Sequence, residues 1–326
     1  MVKPKISIIV PVKNTKDYIC KCLDSLQFQT ISDIEVIIID DCSTENIFDN
    51  IEDYLNDSRF IYKRLSQSKG PGGARNEGLA IASGEYVGFC DSDDWVDFNY
   101  YQSAVNALDA CGADIAMLSF VREYDTFTKT PIYKCKYNEL MTLNGNVTFR
   151  IMTYQYNMGI KVIPPCTNKV YRREFLQRTN VKFVEQMYFQ DTLFCIQTVL
   201  SADKILCIPG TEYHHYRRKG SIIQSFNTKH TDDFHHMFTL FRQYLKDRGL
   251  YKVYCFNYYK LLNHFYNIII REIFEFVHDD SERKRHMSYS FKRLQELLVL
   301  EEYLEYTDAE VIRRHIQPHI TDTTLY

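Results

Sequence analysis

Apolar runs alternate with amphipathic stretches along the first part of the chain. Residues 6–12 (ISIIVPV) and 34–39 (IEVIII) are rich in β-branched residues, which predicts two strands. Each run is followed by a helical pattern, and Asn14 or Thr15 could cap the first helix. Short strand–helix connections favour parallel strands with right-handed crossovers. The apolar positions are Tyr18, Ile19, Cys22, Leu23 and Leu26 in the first helix, and Ile47, Ile51 and Leu55 in a helix at 44–56.

A burst of carboxylates follows a third predicted strand, Tyr86–Cys90. Asp91 and Asp93 alternate, so both side chains can face one side of an extended or tightly turned backbone. Open α/β sheets bind ligands beyond their strand carboxyl ends, and two oxygen ligands suit a divalent cation that also holds phosphates. A metal bridged to a diphosphate makes that group a better leaving group. An acidic surface turn, with Asp91 as a cap, is the alternative.

Asp40 and Asp41 end the second predicted strand in the same way. The chain has no Gly-x-Gly-x-x-Gly after the first strand and no Gly-Lys-Ser/Thr phosphate loop, which argues against the usual dinucleotide and nucleoside-triphosphate sites. Asp41 is well placed to accept a ring N–H of a nucleotide base. Helix capping within the Asp-Cys-Ser-Thr turn is the other role open to both residues.

A glycine-rich segment, Gly70–Gly73, allows close approach of the backbone to a ligand. A helix predicted from Ala74 to Ala82 would then direct free N–H groups towards an anion, and Arg75 could grip phosphate or ribose. A plain loop before a packing helix explains the same residues equally well.

Composition narrows the class of protein. The chain has 326 residues and 38.7 kDa, enough for one large core and an appended region. A net charge of −3 and a pI near 6.4 argue against nucleic-acid binding as its main task. Ten cysteines without paired spacing predict neither a zinc site nor a disulfide framework, and hence a reducing, cytoplasmic setting. We expect no signal peptide and no membrane-spanning run.

The pattern divides the chain into an α/β region at 1–225 and a helical region at 226–326. Within the α/β region, 1–120 would form a nucleotide-binding half and 121–225 a second half. A helix at 97–111 and a strand at 113–120 would close the first half, and 121–145 would form a loop or hairpin.

The C-terminal segment 283–316 mixes basic residues with an apolar stripe. Such a helix could lie on a membrane surface, at the inner face of the membrane, or pack on the domain or on a second copy of itself. Interspersed glutamates favour packing or a homo-oligomer over membrane contact. The basic residues are Arg283, Lys284, Arg285, Lys292, Arg293, Arg313 and Arg314, and the stripe comprises Leu294, Leu297, Leu298, Leu300 and Tyr303.

Four segments, at 6–14, 36–44, 70–78 and 84–94, resemble the family 2 glycosyltransferases in order and spacing. These are inverting enzymes of the GT-A fold. The resemblance implies an α/β, Rossmann-like catalytic domain at 1–225, in which 1–120 would bind a nucleotide-diphosphate sugar and 121–225 the acceptor, with a helical C-terminal extension at 226–326. The chain departs from the family at Lys13, where Tyr is usual, and at Cys42, where Gly is usual.

The resemblance also implies roles for individual residues. Asp91 and Asp93 would form the metal and diphosphate motif, with Asp93 the more direct ligand. His215, in the cluster Tyr213–Ser221, could join the metal shell, although a basic surface loop is the alternative. Donor contacts are implied for Pro11, Asn14, Asp41, Arg75, Asn76, Asp91 and Ser92.

Asp191 is the candidate general base, because its segment resembles the family's Glu-Asp pair at the start of an acceptor-side helix. Gln190 stands where the family has Glu, and the missing charge should let Asp191 ionise more easily. From the residues alone, Asp191 could equally be the N-cap of a helix at 192–200.

Together these patterns predict a metal-dependent inverting glycosyltransferase of the hexosyltransferase type. It would use Mn²⁺ or Mg²⁺ and a nucleotide-sugar, with UDP favoured, and extend a saccharide or glycolipid in surface polysaccharide biosynthesis. A nucleotidyltransferase is disfavoured because residues 11–14 supply no basic glycine-rich loop. A non-catalytic carbohydrate-binding relative would lack the metal carboxylates or the base, and the chain has candidates for both.

Overall fold

The computed structural model describes residues 3–124, 134–217 and 226–299. The chain forms two compact units, one made of Met1–Met152 with Tyr156–Ser221 and one of Thr153–Gln155 with Ile222–Tyr326. The first contains a mixed sheet covered by helices, and the second is helical in its described part. The predicted split of residues 1–225 into nucleotide and acceptor halves stays a prediction.

The described part of the first unit contains a ten-stranded sheet. Its main path runs β3-β2-β1-β4-β9-β6-β10-β5, with β7 paired to β6 and β8 paired to β10. The strands are β1 Ile6–Val12, β2 Ile34–Asp40, β3 Phe60–Arg64, β4 Tyr86–Phe89, β5 Trp95–Val96, β6 Ile115–Tyr124, β7 Lys134–Cys135, β8 Met141–Leu143, β9 Lys169–Arg172 and β10 Ile205–Arg217.

The first four strands are parallel, as the short connections predicted. β1 pairs in parallel with β2 and β4, and β2 pairs in parallel with β3. Every residue of β1 and β2 is buried, which is typical of a parallel sheet covered on both faces. The parallel order brings the carboxyl ends of β1, β2 and β4 to one edge. β9 then pairs antiparallel with both β4 and β6, which joins the two halves of the sheet.

The first helix, α1, buries the predicted stripe of Ile19, Cys22, Leu23 and Leu26, while Tyr18 precedes its first turn. α4 ends at Gly112, which has a positive φ of 61°. The helices of this unit are α1 Ile19–Gln27, α2 Phe48–Ile51, α3 Gly70–Ile81, α4 Tyr100–Cys111, α5 Gly145–Met152, α6 Arg173–Thr179 and α7 Gln190–Ser201.

Several predicted boundaries are wrong. Neither Asn14 nor Thr15 caps α1 through its side chain, because Asn14 accepts hydrogen bonds from Thr44 instead. The helix predicted at 44–56 is a short α2 followed by a 3₁₀ turn at Glu52–Asn56.

The glycine-rich segment is helix rather than loop, since α3 begins at Gly70. The strand predicted at 113–120 runs to Tyr124, and α4 starts at Tyr100 rather than residue 97. Two short strands, β7 and β8, lie in the segment predicted as a loop or hairpin.

In the second unit, residues 226–299 form three helices and no strand, as the sequence pattern predicted. Asn227 and Asp279 cap two of them through their side chains. Phe291, Leu294 and Leu297 of the last helix are buried, so its apolar side packs within this unit. Leu300, Tyr303, Arg313 and Arg314 lie outside the described residues. The helices are α8 Thr228–Asp247, α9 Tyr251–Phe276 and α10 Asp280–Leu297.

A span across a membrane would need a long apolar helix, and the part of the chain that the structure describes has none. Membrane contact and self-association of the C-terminal segment stay predictions.

Candidate active site

The predicted donor residues gather at the carboxyl edge of the parallel strands. Asp91 lies two residues after the end of β4, and Asp41 directly follows β2. The backbone N–H of Asp41 donates to the carbonyl of Val12, 2.8 Å away, which ties the end of β2 to the end of β1. The sheet order therefore places the two acidic turns at the same edge, where α/β sheets bind ligands.

Arg75 and Asp91 form an ion pair at this edge. One terminal nitrogen of Arg75, Nη2, lies 2.5 Å from Oδ1 of Asp91. Arg75 is 4% exposed, and its Nε and Nη1 are buried without a hydrogen-bond partner. Burial acts to lower the pKa of this guanidinium, but the charges of Asp91, Cys166 and Asp191 outweigh burial and raise it. Arg75 therefore stays charged with two donors unused, which is costly unless a ligand takes them up.

Asp94 connects the acidic turn at residues 91–94 to β10. It is 2% exposed and accepts hydrogen bonds from the Tyr213 hydroxyl (2.6 Å) and the Tyr216 backbone N–H (2.8 Å). The same hydroxyl accepts the N–H of Asp91 at 3.1 Å. Burial, together with the charges of Asp93 and Asp91, raises the pKa of Asp94 well above its ordinary value. This role of Asp94 was not predicted, because Asp94 and Tyr213 are far apart in the chain.

Several predicted donor contacts are engaged with protein groups. Ser92 is buried, with its hydroxyl 2.9 Å from that of Thr15. Pro11 lies inside β1. Asn14 adopts a positive φ of 52° and accepts the N–H of Thr44 at 2.9 Å. Direct contact with a donor stays a prediction for each of these three residues.

Asp41 is 2% exposed and accepts four hydrogen bonds. Its Oδ1 accepts the N–H of Lys69 at 2.6 Å. Its Oδ2 accepts Ser68 Oγ at 2.7 Å, Gly70 N at 3.1 Å and Lys13 Nζ at 3.4 Å. Asp41 thus holds the turn that starts α3. A second lone pair on Oδ1 is the acceptor that remains for a base N–H.

Its neighbour Asp40 does not cap α2, whose N-cap residue is Ile47 without a side-chain capping hydrogen bond. Asp40 accepts the N–H of Ser43 at 2.8 Å through Oδ1. Its Oδ2 accepts Tyr62 Oη at 3.0 Å and Arg64 Nη1 at 2.9 Å. Asp40 is fully buried, and both of its carboxylate oxygens accept hydrogen bonds from protein groups.

Asp191 lies in the first turn of α7 and is not its N-cap. The N-cap position is Phe189, and Asp191 Oδ1 accepts only the N–H of Thr192, at 2.9 Å. Burial raises the pKa of Asp191, the charge of Arg75 lowers it, and that of Asp91 raises it again. The pKa of Asp191 is thus raised overall, and the effect expected from Gln190 in place of Glu stays a prediction. Gln190 is 5% exposed, and its Oε1 has no hydrogen-bond partner.

His215 lies on β10, so this part of the basic cluster is a strand and not a surface loop. Residues 218–221 of the cluster lie outside the described ones. The His215 ring stacks on Phe120 with centroids 5.6 Å apart, and its Nδ1 is buried without a hydrogen-bond partner. Burial, with the charge of Arg122, lowers its pKa to about 4. The imidazole is therefore neutral near pH 7, the form that binds metals.

The residues present fit a divalent cation shared with a diphosphate. Among the described residues, no group of three or more His, Cys, Asp or Glu side chains is arranged to hold a metal. Magnesium sites of this kind use one or two carboxylates and complete the shell with substrate phosphates and water. Asp91 and Asp93 would supply the carboxylates, and Nδ1 of His215, which is buried without a hydrogen-bond partner, is a further candidate ligand.

A second buried cation, Lys169, lies at the start of β9. Its Nζ donates to the carbonyls of Ile163 (2.8 Å) and Pro165 (2.7 Å) and to Oδ1 of Asn168 (2.8 Å). Lys169 is fully buried, and all three of its N–H donors are used. It fixes the loop that carries Cys166, whose thiol lies near enough to Arg75 and Asp191 for their charges to act on its pKa.

Comparisons with known proteins agree with this architecture. The sequence profile described as Glycosyl transferase family 2 matches residues 7–179. The chain is 29% identical to EpsH of Bacillus subtilis (strain 168) over 70% of its own length and 65% of that protein. It is 27% identical to the poly(ribitol-phosphate) beta-N-acetylglucosaminyltransferase TarS of Staphylococcus aureus (strain Mu50 / ATCC 700699), over 68% of the chain but 37% of TarS. It thus spans under two thirds of either relative.

A cholesterol galactosyltransferase of Borreliella burgdorferi (strain ATCC 35210 / DSM 4680 / CIP 102532 / B31) is 27% identical over 94% of this chain and 86% of that protein. Among solved structures, S. aureus TarS 1-349 in complex with UDP-GlcNAc superposes with a TM-score of 0.64 at 21% identity, covering 92% of each chain. This likeness shows a GT-A-type fold. Because the family profile matches more than half of its residues, the chain belongs to glycosyltransferase family 2.

Proposed function

We propose that this protein transfers a sugar, with inversion, from a nucleotide-diphosphate donor to a saccharide or glycolipid acceptor. One observation carries the proposal: buried Arg75 pairs with the partly exposed Asp91 and keeps two guanidinium nitrogens unused, and Asp191 lies close enough for both charges to act on its pKa. A cation for a phosphate and a carboxylate for a proton thus occur together at the ligand-binding edge of the sheet.

The donor is held by complementary groups. Arg75 offers Nε and Nη1 to phosphate or ribose oxygens, and Asp41 offers its remaining lone pair to a ring N–H of the base. Asp91, Asp93 and His215 would hold a divalent cation, Mn²⁺ or Mg²⁺, which supplies positive charge to the departing diphosphate. Uracil suits the single acceptor of Asp41, since its N3–H is a donor, and UDP is the favoured nucleotide.

Asp191 serves as the general base of a single displacement. The acceptor hydroxyl oxygen forms a bond to the anomeric carbon on the face opposite the diphosphate, and its proton passes to the Asp191 carboxylate. The bond from the anomeric carbon to the phosphate oxygen breaks, and its electron pair leaves with the nucleoside diphosphate. Burial raises the pKa of Asp191, which strengthens it as a base once it is ionised.

The relatives suggest where to look for donor and acceptor. TarS is a poly(ribitol-phosphate) beta-N-acetylglucosaminyltransferase, and another relative over nearly the whole chain is a cholesterol galactosyltransferase. UDP-GlcNAc and UDP-galactose are therefore the first donors to test, with polymer and lipid acceptors. Surface polysaccharide or glycolipid synthesis at the cytoplasmic side of a membrane accommodates both acceptor classes.

The test is product analysis with the full chain. The protein is incubated with UDP-GlcNAc, UDP-galactose, UDP-glucose or GDP-mannose, with manganese or with excess chelator, and products are analysed by mass spectrometry and by NMR of the anomeric coupling. We expect transfer from a UDP-sugar with inversion, lost in chelator and in Asp93→Asn but not in the exposed control Asp49→Asn. Retention of configuration, or full turnover in chelator, would contradict the mechanism.

A further inference from the structure

Asn76, next to Arg75 on α3, binds the backbone of Phe183 through its side-chain amide. Its Nδ2 donates to the carbonyl of Phe183 (2.8 Å), and its Oδ1 accepts the N–H of Phe183 (3.0 Å). This reciprocal pair mimics one rung of a β-ladder and fixes the amide orientation. Asn76 therefore clamps the backbone of the segment that precedes α7, across 107 residues of sequence.

Phe183 connects the three charged residues of the site. Its ring stacks on Phe194 at 3.9 Å and meets the edge of Phe89 at 5.2 Å, while the Arg75 guanidinium lies 5.5 Å from its centroid. Phe89 ends the strand that precedes Asp91, and Phe194 follows Asp191 by less than one helical turn. One ring thus touches the strand that leads to Asp91, the helix of Asp191 and Arg75 itself.

The rest of the segment fits closely onto the first turn of α3. A Cβ on Gly72 would lie 2.4 Å from the carbonyl oxygen of Val184, so only glycine fits there. Gln186 donates its backbone N–H to the Lys69 carbonyl (3.0 Å) and its Nε2 to the Ser68 carbonyl (2.6 Å). The segment from Phe183 to Gln186 is therefore seated on the turn that Asp41 also holds.

We infer that Asn76 is a positioning residue of the reaction: its clamp on Phe183 sets where Asp191 stands relative to the Arg75–Asp91 pair. This inference rests on the proposed function and gives Asn76 a different role from the direct donor contact implied by family resemblance. The clamp acts on the base and not on the nucleotide. Its loss should therefore slow the chemical step and leave nucleotide binding intact, because a misplacement of about 1 Å can cost roughly 10²-fold in rate.

The experiment compares Asn76→Ala with Glu77→Ala. Glu77 is the next residue on α3, and its side chain accepts two hydrogen bonds, from Lys63 (2.7 Å) and Lys69 (2.6 Å). Glu77→Ala therefore also removes two side-chain hydrogen bonds, but neither involves the 183–186 segment. For each variant we would measure kcat, Kd for UDP and for the UDP-sugar by calorimetry, thermal stability, and amide hydrogen exchange of residues 183–191. Asn76→Asp keeps the shape and one acceptor bond, and replaces Asn76→Ala if the latter does not fold.

We expect Asn76→Ala to lower kcat by roughly 10²-fold, to keep both Kd values within about twofold, and to speed exchange across residues 183–191. Glu77→Ala should lose comparable stability with kcat and that exchange unchanged. Weaker binding of the UDP-sugar at unchanged kcat would instead make Asn76 a donor contact. Unchanged hydrogen exchange of residues 183–191 in Asn76→Ala would overturn the inference, whether or not the wild-type protein transfers a sugar. Absence of sugar transfer by the wild type would contradict only the proposed function.

Discussion

Arg75 and Lys169 are both buried cations of the same unit, yet their surroundings are opposite. Lys169 is fully buried, and its ammonium gives one hydrogen bond to each of three neutral oxygens at 2.7–2.8 Å. Arg75 is 4% exposed, has a single partner in Asp91, and leaves Nε and Nη1 buried and unused. Proteins seldom leave buried donors unpaired without a functional reason.

The difference separates a structural cation from a functional one. Lys169 holds the 163–168 loop in one conformation, since three backbone and amide oxygens converge on it. Arg75 is surrounded by negative groups, Asp91 and Asp191, and lies at the ligand edge of the sheet. Burial alone therefore does not distinguish the two cations, whereas the unused donors of Arg75 and the charges of its two acidic neighbours do.

The largest expected effect comes from removing the proposed base, Asp191, on whose pKa the charge of Arg75 acts. Asp191→Asn keeps the shape and the bond to Thr192 N but cannot accept a proton. We expect kcat to fall by roughly 10²–10⁴-fold, the usual contribution of general-base help, with UDP affinity intact. Asp109→Asn, which disturbs structural bonds to Tyr86 and Lys5, is the control and should leave kcat unchanged. Normal turnover in Asp191→Asn would mean that another group takes the proton.

Lys169→Met should have the next largest effect, on stability. It removes one donor to each of three buried oxygens, and we expect the free energy of unfolding to fall by about 3 kcal/mol or more. Chemical denaturation of the purified variant measures this loss. A stable, fully folded Lys169→Met variant would show that the three oxygens can find other donors, and the contrast with Arg75 would then fail.

Arg75→Met should give the reverse result. It removes two unpaired buried nitrogens at the cost of leaving Asp91 without its partner, so the unfolding free energy should change by less than about 1 kcal/mol. Turnover should fall by roughly 10²-fold or more, because the leaving diphosphate loses a positioned cation. Arg75→Lys keeps the charge without the planar fork and should recover only part of the rate. An Arg75→Met variant that unfolds would place Arg75 with Lys169 as a structural residue.

Much of the fold could be predicted from the sequence because its parallel strands are continuous apolar runs. β1 and β2 are buried at every position, and such runs have few alternative interpretations. The start of α3 could not be predicted, because glycines 70, 72 and 73 are poor helix formers. Asp41 stabilises that first turn by accepting the N–H groups of Lys69 and Gly70, a tertiary effect that local propensity does not contain.

The candidate site was predictable only in part, for a related reason. The carboxylates of Asp91 and Asp93 were apparent from their place after a strand. The partners that give neighbouring residues their roles are distant in sequence: Tyr213 binds Asp94 across 119 residues and Phe183 binds Asn76 across 107. Asp191 shows the same limit, since the local pattern allowed an N-cap, whereas its position in the first turn of α7 and the effect of the Arg75 charge on it become clear only in the fold.

The smallest expected effect is a displacement of the pH profile, and it tests whether Arg75 acts on Asp191. The base must be ionised to work, so kcat falls as pH drops through the pKa of Asp191, which burial raises above its ordinary 3.8. The charge of Arg75 lowers that pKa. The residual activity of the Arg75→Met variant should therefore fall off at a higher pH than that of the wild type on the acid side of the profile.

The same shift has a stability counterpart of defined sign. A carboxyl whose pKa is raised on folding stabilises the native state most below its unfolded pKa, and this contribution is lost as pH rises through the folded value. The stability of wild type relative to Asp191→Asn should thus decline with rising pH across that window, as measured by denaturation at several pH values. A difference that stays flat, with an acid limb unmoved by Arg75→Met, would show that the two residues are not coupled and that Arg75 serves the donor alone.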